Sequence, residues 1–330
     1  MKIRLIAPVR RGSLQGNGVT ARRWARLLRE LGHQVRQEAE YQYGAADVLV
    51  ALHARKSHAS AERFKAMHPD GCLVVALTGT DLYQDLKHSR AARNSLQLAD
   101  RIVVLQPLAL GVLHPHHRRK ACVIYQSATR PSGTARARSR HFEICVIGHL
   151  RPVKDPFRTA LAIRVLPEAS RIRVTHLGGA LASGMARRAQ EEARRNPRYR
   201  WLGERPQAEA LRRLSRSDLL VLTSRSEGGA NVISEAVAAG VPVVSSRIPG
   251  SEGLLGPSYP GYFPSGDTKA LAELLWKVEQ DGPFRRRLVA YGRRLRPLFR
   301  PGLERRAWAQ LLRYAAAPRG DRPPMKSAWR

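Results

Sequence analysis

Residues 218–246, DLLVLTSRSEGGANVISEAVAAGVPVVSS, decide the fold. An apolar run ends at Thr223, the pattern of a strand buried on both faces. Residues 224–229 form a loop, and residues 230–239 read as a short helix with Gly240 just past its end. VPVVSS is the next strand. A strand, loop, helix and strand in this order make one unit of a parallel sheet. Gly228 and Gly229 therefore sit at a strand's carboxyl end and a helix's amino end, where backbone N–H groups and the helix dipole favour an anion. Open α/β sheets bind their ligands at this edge. Two acids bracket the glycines, Glu227 in the loop and Glu235 in the helix. A carboxylate accepts two hydrogen bonds well, so each can hold a pair of sugar hydroxyls. The plain alternative is two solvated acids. Against it, Glu235 is the sole charge on a helix otherwise small and apolar (Val232, Ile233, Ala236, Val237).

Outward from this stretch the alternation continues. FEICVIGHL, RIRVTHLGG and YRWLGE read as further strands of the same half, and KIRLIAPV, DVLVALHA, CLVVALTG, RIVVLQ and CVIYQS as strands of another. In that first half the clearest helix is placed with Thr20 as its N-cap, with Trp24, Leu27, Leu28 and Leu31 on one face and Gly32 closing it. Between the halves, ATRPSGTARARSRH has Pro, Gly, Ser and charge but no periodicity, which marks a linker. The expected organisation is a Rossmann-like domain over 1–127, a linker over 128–141 and a second Rossmann-like domain over 142–300. A C-terminal helix over 301–318 is expected to return to the first domain, and 319–330 to form a disordered tail. The fold class is α/β, two doubly wound domains facing a cleft.

The chain has 330 residues, 43% of them hydrophobic, enough for two cores. No apolar run reaches the roughly 20 residues of a membrane span, and the start lacks the features of a signal peptide. Cys72, Cys122 and Cys145 are scattered and odd in number, which argues against a disulfide framework or a zinc site and suits a reducing cytoplasm. The net charge of +32 raises nucleic acid as a partner. However, only nine of the 58 basic residues are Lys, and the Arg are spread along the whole chain on the polar faces of helices. No zinc finger, RNP motif or aromatic-interleaved basic stripe accompanies them, so an Arg-biased solvated surface is the reading adopted.

Other loops at strand ends carry candidate chemistry. In GHLRPVKDP (148–156), Arg151 and Lys154 follow a strand and precede a helix starting near Asp155. They are placed to neutralise a diphosphate as it leaves. RRGSLQGNGVT (10–20) is a glycine-rich strand-to-helix turn that lets backbone approach a phosphate, but no acid follows where a dinucleotide site has one. In LTGTDLY (77–83), Thr78, Thr80 and Asp81 crowd a strand's end, with a helix N-cap as the plain alternative for Asp81. His53 ends another strand at the same edge. There is no D-x-D for a sugar-nucleotide metal, no G-x-S-x-G, no Walker A and no H-E-x-x-H.

These motifs in this order resemble the GT-B glycosyltransferases that carry E-x7-E, here EGGANVISE. THLGG, WLGE and VLTSRSEG match the nucleotide-domain pattern as well. The resemblance implies that Glu227 contacts the donor sugar, Glu235 the ribose, and the backbone of Gly228, Gly229, Ala230, Asn231 and Val232 the diphosphate, with Gly178 lining the donor site. The group has Arg directly after the glycine of its diphosphate motif. Here His149 stands there and Arg151 two residues on, while Lys154 keeps its place. More narrowly, GNGVTARRWARLLRELGHQV, LVALHARKS, VVALTGTDLY and GHLRPVKDP resemble the selenosugar synthases of selenoneine biosynthesis. That resemblance implies transfer from a UDP-sugar to selenophosphate with formation of a carbon–selenium bond.

On this reading no metal or cofactor is expected, and Lys154 and Glu227 carry the donor chemistry. Selenophosphate is already an anion, so it needs a cationic pocket rather than a base. Arg10, Arg11 and Lys56 are expected to supply that pocket, Gly16 and Asn17 its floor, with Thr78 and Thr80 on the same edge. Thr80, His53 and Asp81 would orient sugar or acceptor. A glycosyltransferase acting on a hydroxyl, and a basic nucleic-acid-binding protein, remain the alternatives.

Overall fold

The computed structural model describes residues 1–9, 16–130 and 139–317. The chain divides into two units, Met1–Gln126 with Pro301 onward, and Ser127–Arg300. Each is built on one six-stranded sheet in which every strand pair is parallel.

In the first unit the strands are β1 (Lys2–Ile6), β2 (Gln34–Glu38), β3 (Val48–Leu52), β4 (Cys72–Leu77), β5 (Arg101–Val104) and β6 (Ala121–Val123), in the spatial order β2-β1-β3-β4-β5-β6. The continuous apolar runs of β3 and β4 are buried on both faces, as the helices of a doubly wound fold require. On one face Leu49, Leu73 and Val75 pack with Phe64 of the helix His58–Met67 and Leu96 of the helix Arg90–Leu98. On the other, Ile3, Val50 and Val74 pack with Trp24 and Leu28 of the helix Gly16–Glu30 and with Trp308, Leu311 and Leu312 of the helix Pro301–Ala316.

The last helix is a working part of this first core. Trp24 and Trp308 meet edge to face with ring centroids 4.8 Å apart. Buried Glu304 accepts hydrogen bonds from the Trp24 indole at 2.7 Å and from Arg23 Nε at 3.1 Å. Two sequence expectations are corrected here. The helix begins at Gly16, so Thr20 lies in its second turn, buried, and donates its hydroxyl to Gln126 Oε1 at 2.7 Å rather than capping. β2 was not expected at all. Its sequence QVRQE has one apolar residue, which suffices because it is the sheet's edge strand.

The second unit holds β7 (Phe142–Ile147), β8 (Ile172–Leu177), β9 (Tyr199–Trp201), β10 (Leu219–Leu222), β11 (Val243–Ser246) and β12 (Tyr262–Phe263), in the order β12-β11-β10-β7-β8-β9. The helix after β10 spans Asn231–Ala239 and ends on Gly240 at φ 77°. After β7 the chain first makes a 3-10 turn, Pro152–Lys154, then places Asp155 at φ 43°, and begins its helix only at Arg158. The described residues on either side of 131–138 form no helix or strand, and the tail 319–330 lies outside the described residues. Among the described residues no helix is long and apolar enough to cross a membrane.

Candidate active site

In the second unit the strand order reverses between β7 and β10: β8 and β9 lie to one side, β11 and β12 to the other. At such a switch point the loops leaving the two central strands diverge and leave a crevice. Here they are stitched together. Arg225 N–H donates to Val153 O at 2.8 Å, and the Thr223 hydroxyl lies 3.0 Å from Lys154 O and 2.9 Å from Asp155 O. The left-handed turn at Asp155, whose carboxylate accepts from Arg158 Nε at 2.9 Å, aims the preceding Lys154 back toward β10. Lys154 Nζ thereby forms a short ion pair with Glu227 Oε1. The Ser224 hydroxyl donates to that same oxygen at 2.6 Å. Ser224 is itself held through its carbonyl, which accepts from Ser246 Oγ at 2.5 Å.

Around this pair the loop 224–230 and the start of the helix Asn231–Ala239 form a polar edge. No side chain caps the helix at Ala230, and Ala230 and Val232 are buried beside it. Glu235 is half-buried one turn further on and accepts from Gln207 Nε2 at 3.3 Å. A glutamate on each side of a glycine-rich helix start, with a lysine against one of them, offers a cation, dipole-aligned amides and two hydroxyl acceptors in one unit.

Beneath the Gly148 loop lies His176. Its Nε2 is 3.0 Å from Gly148 O and its Nδ1 2.9 Å from the Tyr199 hydroxyl, which fixes the neutral tautomer with the proton on Nε2. Burial drives its pKa down to about 4. Gly178 follows at φ 149°, and a Cβ there would lie 2.0 Å from Gly148 O. Only glycine lets the β7 and β8 loops come this close. His149, where the resembled family carries Arg, accepts the Gly179 N–H on Nδ1 at 3.1 Å. A hollow of about 250 Å³, counted with its open mouth, is lined by Gly148, Lys154, His176, Thr223 and Ser224 among others. Arg151 is half-buried on the same loop.

In the first unit, the edge beyond β3 and β4 gathers His53, Thr80 and Asp85. His53 has φ 73°, a conformation rare outside glycine, and is nearly fully buried. Its Nε2 lies 3.2 Å from Thr80 Oγ1 and 3.8 Å from Asp85 Oδ2, and its Nδ1 accepts the Lys56 N–H at 3.4 Å. Burial lowers its pKa, with Asp81 and then Asp85 pulling the other way. These partners make His53 a neutral ring that donates through Nε2. Arg55 pairs with Asp85 at 2.9 Å, and Lys56 is exposed. Gly16 and Asn17 open the helix Gly16–Glu30, and Thr78 is half-buried at the end of β4. Arg10 and Arg11 lie outside the described residues.

The expectation that Asp81 touches sugar or acceptor is corrected. Asp81 is fully buried, and its carboxylate accepts the backbone N–H groups of Ala54, Thr78, Gly79 and Leu82 at 2.7–3.2 Å. It organises a π-turn, Asp81–Asp85, and holds the β3 and β4 loops together. The residues that sequence reasoning missed are of the same supporting kind: Thr223, Ser224 and Ser246 behind Glu227 and Lys154, Gln207 beside Glu235, and Gly250. A Cβ on Gly250 would meet Glu227 O at 2.0 Å and Glu227 Cβ at 2.9 Å. Spacing in sequence carries no signal for these partners: Thr223 and Ser224 share an aperiodic loop with Glu227, and Gln207, Ser246 and Gly250 come from other elements. Among the described residues no group of three or more His, Cys, Asp or Glu is placed to hold a metal ion.

Residues 134–295, which contain this edge, match the family model of glycosyl transferases group 1. No curated protein sequence matches the chain. Among solved structures, the fold is similar to sucrose-phosphate synthase of Thermosynechococcus elongatus, with 17% identity and a TM-score of 0.76 over 96% of this chain and 100% of that one. HepE of Anabaena, in complex with UDP and glucose, gives 16% identity and a TM-score of 0.75 over 95% and 99% of the two chains. The pneumococcal O-GlcNAc transferase GtfA, in complex with UDP and GlcNAc, gives 14% identity and 0.66 over 81% of this chain and 56% of that one. At these identities the structures speak for the GT-B fold alone, and the family match speaks for the second unit. With that domain over residues 134–295 and two Rossmann-like units of the GT-B kind, the chain is a glycosyltransferase.

Proposed function

We propose that the enzyme moves a sugar, N-acetylglucosamine or glucose, from a UDP-sugar to selenophosphate, in the cytoplasm. The observation that carries the donor half is the Lys154–Glu227 pair beside the glycine-rich start of the helix Asn231–Ala239. Similarly folded HepE binds UDP and glucose. In this reading Glu227 accepts hydrogen bonds from the donor sugar and Glu235 from the ribose. The backbone of Gly228, Gly229, Ala230, Asn231 and Val232 meets the diphosphate, which approaches past Gly178. The anomeric C–O bond breaks and its electrons leave with UDP, while a selenium lone pair forms the new C–Se bond. Negative charge grows on the diphosphate, and Lys154, Arg151 and the helix start stabilise it in place of a metal.

The acceptor half rests on the resemblance of the first unit's motifs to selenosugar synthases and on the chemistry of the acceptor. Selenophosphate is anionic at neutral pH and needs no base. This agrees with a His53 whose Nε2 proton is directed at Thr80. Lys56 with Arg10 and Arg11 would draw the anion, and Gly16, Asn17, Thr78 and Thr80 would surround it. The test is incubation with UDP-N-acetylglucosamine or UDP-glucose and selenophosphate, following UDP release and the mass of the product. A selenium-containing glycoside is the expected product. UDP release that ignores selenophosphate but requires a sugar or lipid hydroxyl would replace the acceptor assignment.

A further inference from the structure

We propose that Ser224 is a positioning residue for donor-sugar recognition: its hydroxyl fixes one oxygen of Glu227 so that the other stays directed at the sugar. The proposal rests on the donor site argued above. Among the described residues, both hydrogen bonds to the Glu227 carboxylate fall on Oε1, one from Ser224 Oγ at 2.6 Å and one from Lys154 Nζ. Oε2 is thus the oxygen left to accept from a ligand.

The two anchors differ in kind. Lys154 is a long, flexible side chain, 29% exposed, with two tasks, because it must also meet the diphosphate as negative charge grows there. When it turns to the leaving group, its hold on Glu227 weakens. Ser224 has no such second task. It is 1% exposed, with one rotatable side-chain bond, and its backbone is held by the fully buried Ser246 hydroxyl at 2.5 Å. Thr223, next to it, ties down the Lys154 loop through Lys154 O and Asp155 O. Ser224 therefore remains as the fixed anchor of Glu227 at the moment the glycosidic bond breaks. A buried hydroxyl bonded to a carboxylate is a strong, directional restraint, and such supporting groups set the geometry of the groups that touch substrate.

The test is a double-mutant cycle of Ser224→Ala and Glu227→Ala, with Ser224→Thr as the variant that keeps the hydroxyl. Ser224→Ala should lower kcat/KM for the UDP-sugar about 10- to 100-fold, the range for a hydrogen bond to a charged group. UDP affinity should stay within about 3-fold of wild type, since UDP lacks the donor sugar that Glu227 holds. Ser224→Thr should recover most of the loss. In the Glu227→Ala background, Ser224→Ala should add nothing, because its effect runs through the missing carboxylate. An equal loss in both backgrounds, or UDP affinity falling in step with turnover, overturns the proposal. The crystal structure of Ser224→Ala decides it independently of any substrate. Glu227 rotated away from its present place supports the role, and an unmoved carboxylate overturns it. If the wild-type protein turns over no UDP-sugar, the functional reading fails while this structural outcome still rules on Ser224.

Discussion

Gly250→Ala should cripple catalysis although Gly250 itself meets no substrate. Gly250 is the second residue of the helix Pro249–Leu255, and its Cα faces the loop that carries Glu227. An added Cβ would stand 2.0 Å from Glu227 O, 2.7 Å from Glu227 C and 2.9 Å from Glu227 Cβ. Nothing flexible yields here, since two of the three atoms are backbone. Restoring even the tightest ordinary contact, near 3 Å, requires the Glu227 loop or the Gly250 helix to move by about 1 Å. The loop is the weaker side: no residue of 224–230 is in a helix or strand, whereas Gly250 belongs to a helix whose Ser251 and Leu255 are buried. Moving Glu227 by about 1 Å pulls its carboxylate off both Lys154 and Ser224, and misplacement on that scale costs about 100-fold in rate. Steady-state kinetics of UDP release measure the loss, with a thermal melt to show that the variant is folded. Turnover within about 3-fold of wild type, with a lowered melting temperature, would mean that the helix moved and the loop did not. The claim that Gly250 sets the place of Glu227 would then be wrong.

Glu304→Ala should destabilise the first unit by about 3–5 kcal/mol, read by chemical denaturation. It strands the buried Trp24 indole and removes the carboxylate from Arg23, 11% exposed, whose guanidinium keeps Gln126 Oε1 at 2.6 Å. A loss below about 1 kcal/mol would show that the helix Pro301–Ala316 is not locked to this core as described. Stability should also fall in mild acid because of His176. The unfolded chain protonates His176 near 6.5, but burial holds the folded pKa to about 4. The contribution is therefore fully present above pH 6.5 and is lost as pH falls toward 4, on the order of 3 kcal/mol in all. In denaturant titrations at pH 7.5 and 4.5, His176→Gln should lose about 2–3 kcal/mol less than wild type. Equal losses would show that His176 is not the buried neutral ring assigned to it.

Much of the architecture was legible because parallel strands buried on both faces must be apolar throughout. VLVAL, CLVVAL, FEICVI and LLVL could be little else. The edge strand QVRQE escaped because an edge needs no such run, and only its pairing with β1 makes it a strand. The helix start was misjudged at Thr20 because a threonine before an amphipathic run fits an N-cap. The same hydroxyl instead found Gln126, more than a hundred residues away, which no local pattern could suggest. At the site, Glu227, Glu235 and Lys154 could be named because loops at strand ends sort by residue type. Their supports could not. Ser224 and Glu227 sit three apart in a loop without periodicity, and Gly250 reaches Glu227 only across two strand ends. Asp81 was misread for a related reason. A carboxylate in a glycine-rich turn looks the same in sequence whether it faces a ligand or its own backbone amides, and burial decides between them.

UDP release from a UDP-sugar by wild type, Lys154→Ala and Glu227→Ala, under one set of conditions with selenophosphate present, tests the account most directly. Removing a group that stabilises the leaving diphosphate, or one that holds the sugar, should each cost on the order of 100-fold or more in turnover while the proteins remain folded. Near-normal turnover in both variants would place the donor site somewhere other than the loops beyond β7 and β10.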